Sequence, residues 1–106
     1  MNREVNKILG LFNTYGSLKR KQIVQYTGWS DRKVRNIIKL ARNEHLPSER
    51  GETIVYRPDK QTYEYTNDNI KIQMYKNYLN SYIKELYADL QAIDRAGIRG
   101  QTEMIL

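Results

Sequence analysis

The 106-residue chain contains no cysteine, two prolines and a single histidine. Without thiols it has no disulfides and no thiolate metal sites. His45, set between Glu44 and Leu46 with no second ligand candidate in view, gives no reason to expect a metal or an acid–base centre. Paired carboxylates, a glycine-rich phosphate loop and a Ser-His pair are also missing, so no catalytic residue, no metal and no cofactor are expected. No run approaches the roughly 18 apolar residues of a membrane span, and Met1-Asn2-Arg3-Glu4 has no apolar core of a leader peptide. A soluble, cytoplasmic protein with no membrane partner is therefore expected. Acidic residues are scarce in the first part of the chain. Residues 1–60 carry thirteen Lys/Arg against six Asp/Glu, whereas residues 61–106 carry five against six. The overall charge of +6 thus belongs to the first part, which points to a polyanionic partner there.

Four helices and a hairpin can be read along the chain. Asn2 can cap a first helix in which Val5, Ile8, Leu9 and Phe12 recur at core spacing, and Gly16 ends it. A second, short helix runs from about Lys19 to Thr27 over Ile23 and Val24, with Gly28 supplying the sharp turn. Ser30 caps a third helix, Asp31 suits the positive end of its dipole, and Leu46-Pro47 closes it. Neither Ser17 nor Ser30 has Glu or Gln three residues on, so no capping box is expected. The β-branched and aromatic runs 53–57 and 62–66, separated by Pro58-Asp59-Lys60-Gln61, read as an antiparallel hairpin. The expected fold is mainly α with a small β-hairpin, an α+β domain over residues 1–66. A long helix over 67–96 follows, then a frayed tail over 97–106.

The third helix carries the most informative pattern. At about 100° per residue, Val34, Ile37, Ile38 and Ala41 form one core-facing stripe. Arg32, Asn36, Lys39 and Asn43 lie opposite, with Lys33 and Arg35 on the flanks. Guanine edges in the DNA major groove present acceptors that match Arg and Lys; adenine presents a donor and an acceptor that match Asn. The outer face has that chemistry, although a solvated basic face has the same composition. Trp29, in the turn before this helix, reads as a core anchor. The nine tyrosines fall mostly at strand or helix spacing and read as packing.

The stretch KRKQIVQYTGWSDRKVRNIIKLARNEHLP, followed by the hairpin, resembles the winged helix-turn-helix family of DNA-binding proteins. The pattern is a short helix, a Thr-Gly-apolar-Ser turn, and an Arg-Lys-Val-rich helix ending at Leu-Pro. Small proteins of this pattern are often encoded by phages and prophages of Gram-positive bacteria. The resemblance covers about residues 3–66 and implies double-stranded DNA as partner. Carried over by position, it makes Arg32, Lys33, Arg35, Asn36, Lys39 and Asn43 base-reading candidates. Lys19, Arg20 and Lys21 at the start of the second helix, with Arg57, Lys60 and Gln61 at the hairpin tip, become DNA-backbone candidates. Lys19 stands where the family often has a capping Ser or Thr.

The last helix, at about 1.5 Å per residue, is roughly 40 Å long, more than a small domain can cover. Ile72, Tyr75, Leu79, Tyr82, Leu86 and Ile93 follow a near-heptad spacing broken at Asp89, where Leu90 lies beside the seam. A homodimer through this helix is expected, the alternative being a helix folded back on its own chain. Three functions fit the reading: a transcriptional regulator of phage or mobile-element type, a replication or recombination accessory protein, and a protein-interaction module that binds a host regulator or a polymerase subunit.

Overall fold

Asn2 begins the first helix because its side-chain oxygen takes up two of the amide protons that a helix start leaves free. It accepts from Glu4 N–H at 2.7 Å and from Val5 N–H at 3.3 Å. The computed structural model describes the backbone of residues 2–105 and the side chains of residues 2–96. In it the first helix, α1, spans Arg3–Tyr15 and buries Val5, Ile8, Leu9 and Phe12. It stops at Gly16, whose φ of 79° is in the region that favours glycine.

A two-residue strand, β1 (Ser17–Leu18), comes next and was not expected from the sequence. Two residues show no alternation, so only the tertiary pairing reveals it. Helix α2 spans Arg20–Thr27, one residue inside the expected start. Gln22 Oε1 accepts the Lys19 backbone N–H at 2.9 Å, which supplies one half of a capping box where none was expected. Lys19 has no side-chain acceptor to supply the other half. Helix α3 spans Asp31–Leu40 and buries Val34, Ile37 and Ile38, as its stripe predicts.

The expected continuation of α3 to Leu46 takes a different form. From Ala41 to His45 the chain widens into a π-helical turn. Arg42 in this turn donates Nε to the Ile54 carbonyl at 3.0 Å, and its guanidinium stands 5.0 Å from the centre of the Tyr75 ring. Strands β2 (Thr53–Arg57) and β3 (Thr62–Thr66) form the expected hairpin, in register from Thr53 opposite Thr66 to Arg57 opposite Thr62. β1 adds to the free edge of β3, with Leu18 opposite Tyr63, which gives a three-stranded antiparallel sheet in the order β1-β3-β2. The architecture is therefore mainly helical with a small antiparallel sheet, an α+β arrangement.

One core joins these elements: Val5, Ile8, Leu9 and Phe12 of α1, Leu18 of β1, Ile23 of α2, Val34, Ile37 and Ile38 of α3, Ala41 and Ile54. Ile8, Ile23 and Ile54 are completely enclosed, so truncating any of them to Ala is expected to cost about 2–5 kcal/mol.

Helix α4 starts behind Asp68, whose Oδ1 accepts from Ile70 N–H at 2.9 Å, and runs over Asn69–Ile105. The backbone is helical through Gly97 and Gly100, so the helix runs past the end expected at Ala96. A helical glycine costs only about 1 kcal/mol relative to Ala, and no proline interrupts the run. The tail's side chains lie outside the described residues. The chain divides into two compact units, the first ending at Tyr75 and the second beginning at Lys76. Within the first unit the opening turn of α4 is tied to the sheet by Lys71 Nζ and Glu64 Oε2 at 2.5 Å.

Candidate nucleic-acid interface

The turn between α2 and α3 is closed by local hydrogen bonds. Gly28, at φ 73°, donates its N–H to the Val24 carbonyl at 2.9 Å. Thr27 Oγ1 donates to the Ile23 carbonyl at 2.7 Å and accepts from Trp29 N–H at 3.1 Å. Ser30 Oγ then accepts Lys33 N–H at 3.1 Å and caps α3. Trp29 packs half-buried on the core, as expected of an anchor, with the ammonium groups of Lys7 and Lys33 5.4 and 5.2 Å from its ring centre. The orientation of α3 is thereby set from both sides of the turn.

Of the base-reading candidates, Arg32, Asn36 and Lys39 form an exposed row opposite the buried Val34, Ile37 and Ile38. Their side chains make no hydrogen bond or ion pair among the described residues. Arg35 is exposed too, with Nε 3.4 Å from Asp31 Oδ2 one turn back. Lys33 is turned elsewhere: its ammonium pairs with Glu4 of α1 at 2.5 Å and lies beside Trp29. Asn43 is exposed in the π-helical turn, so the azimuth read for it from an α-helical wheel does not apply.

Four of the six backbone candidates, Lys19, Arg20, Lys21 and Gln61, come together on one side. Lys19, Arg20 and Lys21, with Val24, Asp31, Tyr56, Gln61 and Tyr63, line an open groove of about 550 Å³ between the starts of α2 and α3 and the hairpin. Three cations border it against one acid, and that acid is engaged. Asp31 Oδ1 accepts Arg20 Nε at 2.5 Å. Partial burial alone would lower the Arg20 pKa; hydrogen bonds and charge from Asp31 and Tyr63 outweigh it and raise the pKa above the ordinary value. Arg20 is therefore a permanent cation. At the hairpin tip Lys60 is exposed, whereas the Arg57 side chain is only 15% exposed and its Nη2 lies 3.3 Å from Asp59 Oδ2. Desolvation alone would raise the Asp59 carboxyl; that hydrogen bond and the charges of Arg57 and Lys60, with a backbone hydrogen bond, together outweigh it and hold the carboxyl below its usual value. Arg57 is committed to the turn as much as to any outside anion.

Arg42 was missed by sequence reading. It links the end of α3, the Ile54 carbonyl and Tyr75, and in sequence it was one more basic residue on a basic helix. The dimer candidates fall into two groups. Ile72 and Tyr75 are half-buried in the first unit; Leu79, Tyr82, Leu86, Leu90 and Ile93 are exposed, as is every residue from Lys76 to Ala96.

Among the described residues no helix is long and apolar enough to cross a membrane, and no cluster of His, Asp or Glu could hold a metal ion. Comparison with protein-family models, with curated proteins and with solved structures found no match.

Proposed function

We propose that the chain is a sequence-specific double-stranded DNA-binding protein with a winged-helix domain, acting as a homodimer in the cytoplasm of a bacterial or phage-infected cell. α3 is the recognition helix, entering the major groove with Arg32, Asn36 and Lys39 toward the base edges. The start of α2 and the hairpin, as wing, hold the DNA backbone through Lys19, Arg20, Lys21 and Lys60. The observation that carries this reading is the free donor row of α3, which stands back to back with a buried stripe and beside a groove bordered by cations.

The mechanism is occupancy. The protein holds a DNA site and so blocks or recruits other machinery, without chemistry of its own, as a transcriptional regulator of phage or mobile-element type. Selection of bound fragments from a random and a genomic DNA library tests this directly. Recovery of a two-fold-related motif is expected, and its genomic position separates a promoter operator from a replication or recombination site. Uniform recovery of all sequences would remove the sequence-specific reading.

A further inference from the structure

The exposed part of α4 carries a cleaner seam than a tyrosine-containing heptad suggests. Leu79, Ile83, Leu86, Leu90 and Ile93 fall within an arc of about 80° on a helical wheel, with no interruption at Asp89. All five are exposed, from 36% at Leu79 to 68% at Ile93. Tyr82 and Asp89 border this stripe on one edge, and Lys76 and Asp94 border it on the other. An aliphatic row of this kind in water requires a cover.

We infer that the cover is the same stripe of a second copy, running antiparallel, with the two-fold axis passing beside residue 85. The proposal rests on the homodimer reading above and adds its orientation. The two orientations differ in which edges meet. In an antiparallel pair, like edges face each other. Leu79 then packs across from Leu90 of the second copy, and Ile83 across from Leu86. Lys76 meets Asp94, and the Tyr82 hydroxyl is placed to donate to the Asp89 carboxylate. Symmetry makes each of these contacts twice.

In a parallel pair, opposite edges meet. Asp89 then faces Asp94 of the second copy on both sides of the seam. Like charges in these positions disfavour that arrangement. Charge complementarity therefore selects the antiparallel pair, and it also selects a second copy over an unrelated helix, because the matching cation and anion lie on the same edge of one stripe.

The chain has no native cysteine, so thiols placed in the full-length protein report orientation without background. L79C and L90C, mixed and oxidised, are expected to give a mixed disulfide dimer, while each variant alone gives little. Homodisulfides from each variant alone would establish the parallel pair and overturn the proposal. Exposed charges provide a second route that leaves the seam untouched. D94K is expected to raise the dimer dissociation constant several-fold at low salt, and adding K76D to it is expected to restore the value. Tighter dimerisation by D94K would mean that the new lysine at position 94 meets Asp89, the parallel case. A folded monomer in sedimentation at all concentrations would overturn both the seam and the homodimer; if that monomer still selects a DNA motif, the DNA-binding reading stands without it.

Discussion

Asp31 Oδ1 lies 2.5 Å from Arg20 Nε, and this contact joins the start of α2 to the start of α3 at the rim of the cationic groove. The other oxygen of the same carboxylate is 3.4 Å from Arg35 Nε. One acid thus aligns two candidate DNA-contacting cations and also places negative charge where the DNA would lie. Its removal should separate two effects. D31A is expected to raise affinity for random DNA several-fold, since an anion leaves a polyanion-binding face. It is also expected to lower the ratio of specific to random affinity, because Arg20 and Arg35 lose a fixed direction. Titration of both DNAs at one salt concentration checks this. Both side chains are about half exposed, so the stability change should stay within about 1 kcal/mol.

Salt dependence should sort the basic residues. Replacing Lys19, Lys21 or Lys60 by Ala is expected to reduce the slope of log K against log salt by about 0.9 each if each meets a phosphate. R57A is expected to leave the slope nearly unchanged, because that guanidinium is largely buried and paired with Asp59. D59N is expected to steepen it by releasing Arg57. An unchanged slope in the Lys19 and Lys21 variants would take α2 out of the interface.

The pH behaviour of the hairpin tip follows from the direction of the Asp59 shift. A carboxyl held below its ordinary value of 3.8 in the folded chain contributes while it is ionised. That contribution is present above the ordinary value and is lost as pH falls through the lowered one. Binding measured between pH 6 and 8 should therefore be indifferent to this pair, and the Arg57–Asp59 contact should open only in acid, observable as a shift of the Asp59 carboxyl resonance.

Arg42 joins three segments of the first unit. R42A removes a hydrogen bond from a charged donor to the Ile54 carbonyl and the contact with the Tyr75 ring. A loss of about 2 kcal/mol in urea unfolding is expected, without a change in the salt slope.

The sequence announces most of this fold where a periodic pattern meets a terminating residue. Val5, Ile8, Leu9 and Phe12 between Asn2 and Gly16 give α1 nearly to the residue, and the β-branched and aromatic runs on either side of Pro58-Asp59-Lys60-Gln61 give the hairpin. What it does not announce depends on distant partners. β1 is too short to carry a period and exists because Leu18 finds Tyr63 on β3. The π-helical turn coincides with the bond from Arg42 to Ile54, twelve residues away. In the candidate site, the free row of Arg32, Asn36 and Lys39 was legible because the wheel places it opposite a core stripe. Lys33 stands on the flank of that row in the wheel, but its pairing was not legible, since its partner Glu4 lies on another helix. Ile83 and Leu90 read as widening a heptad drawn through Tyr82; they belong to the stripe itself once Tyr82 is set at its edge.

The central claim is that the outer face of α3 reads bases, and one comparison tests it most directly: the affinity of N36A and R32A for the selected site and for random DNA at the same salt. A lost base contact is expected to cost roughly 1–3 kcal/mol on the selected site, five- to more than a hundredfold in affinity, and almost nothing on random DNA. Equal losses on both DNAs for both variants would contradict the claim, leaving α3 a basic surface without sequence recognition.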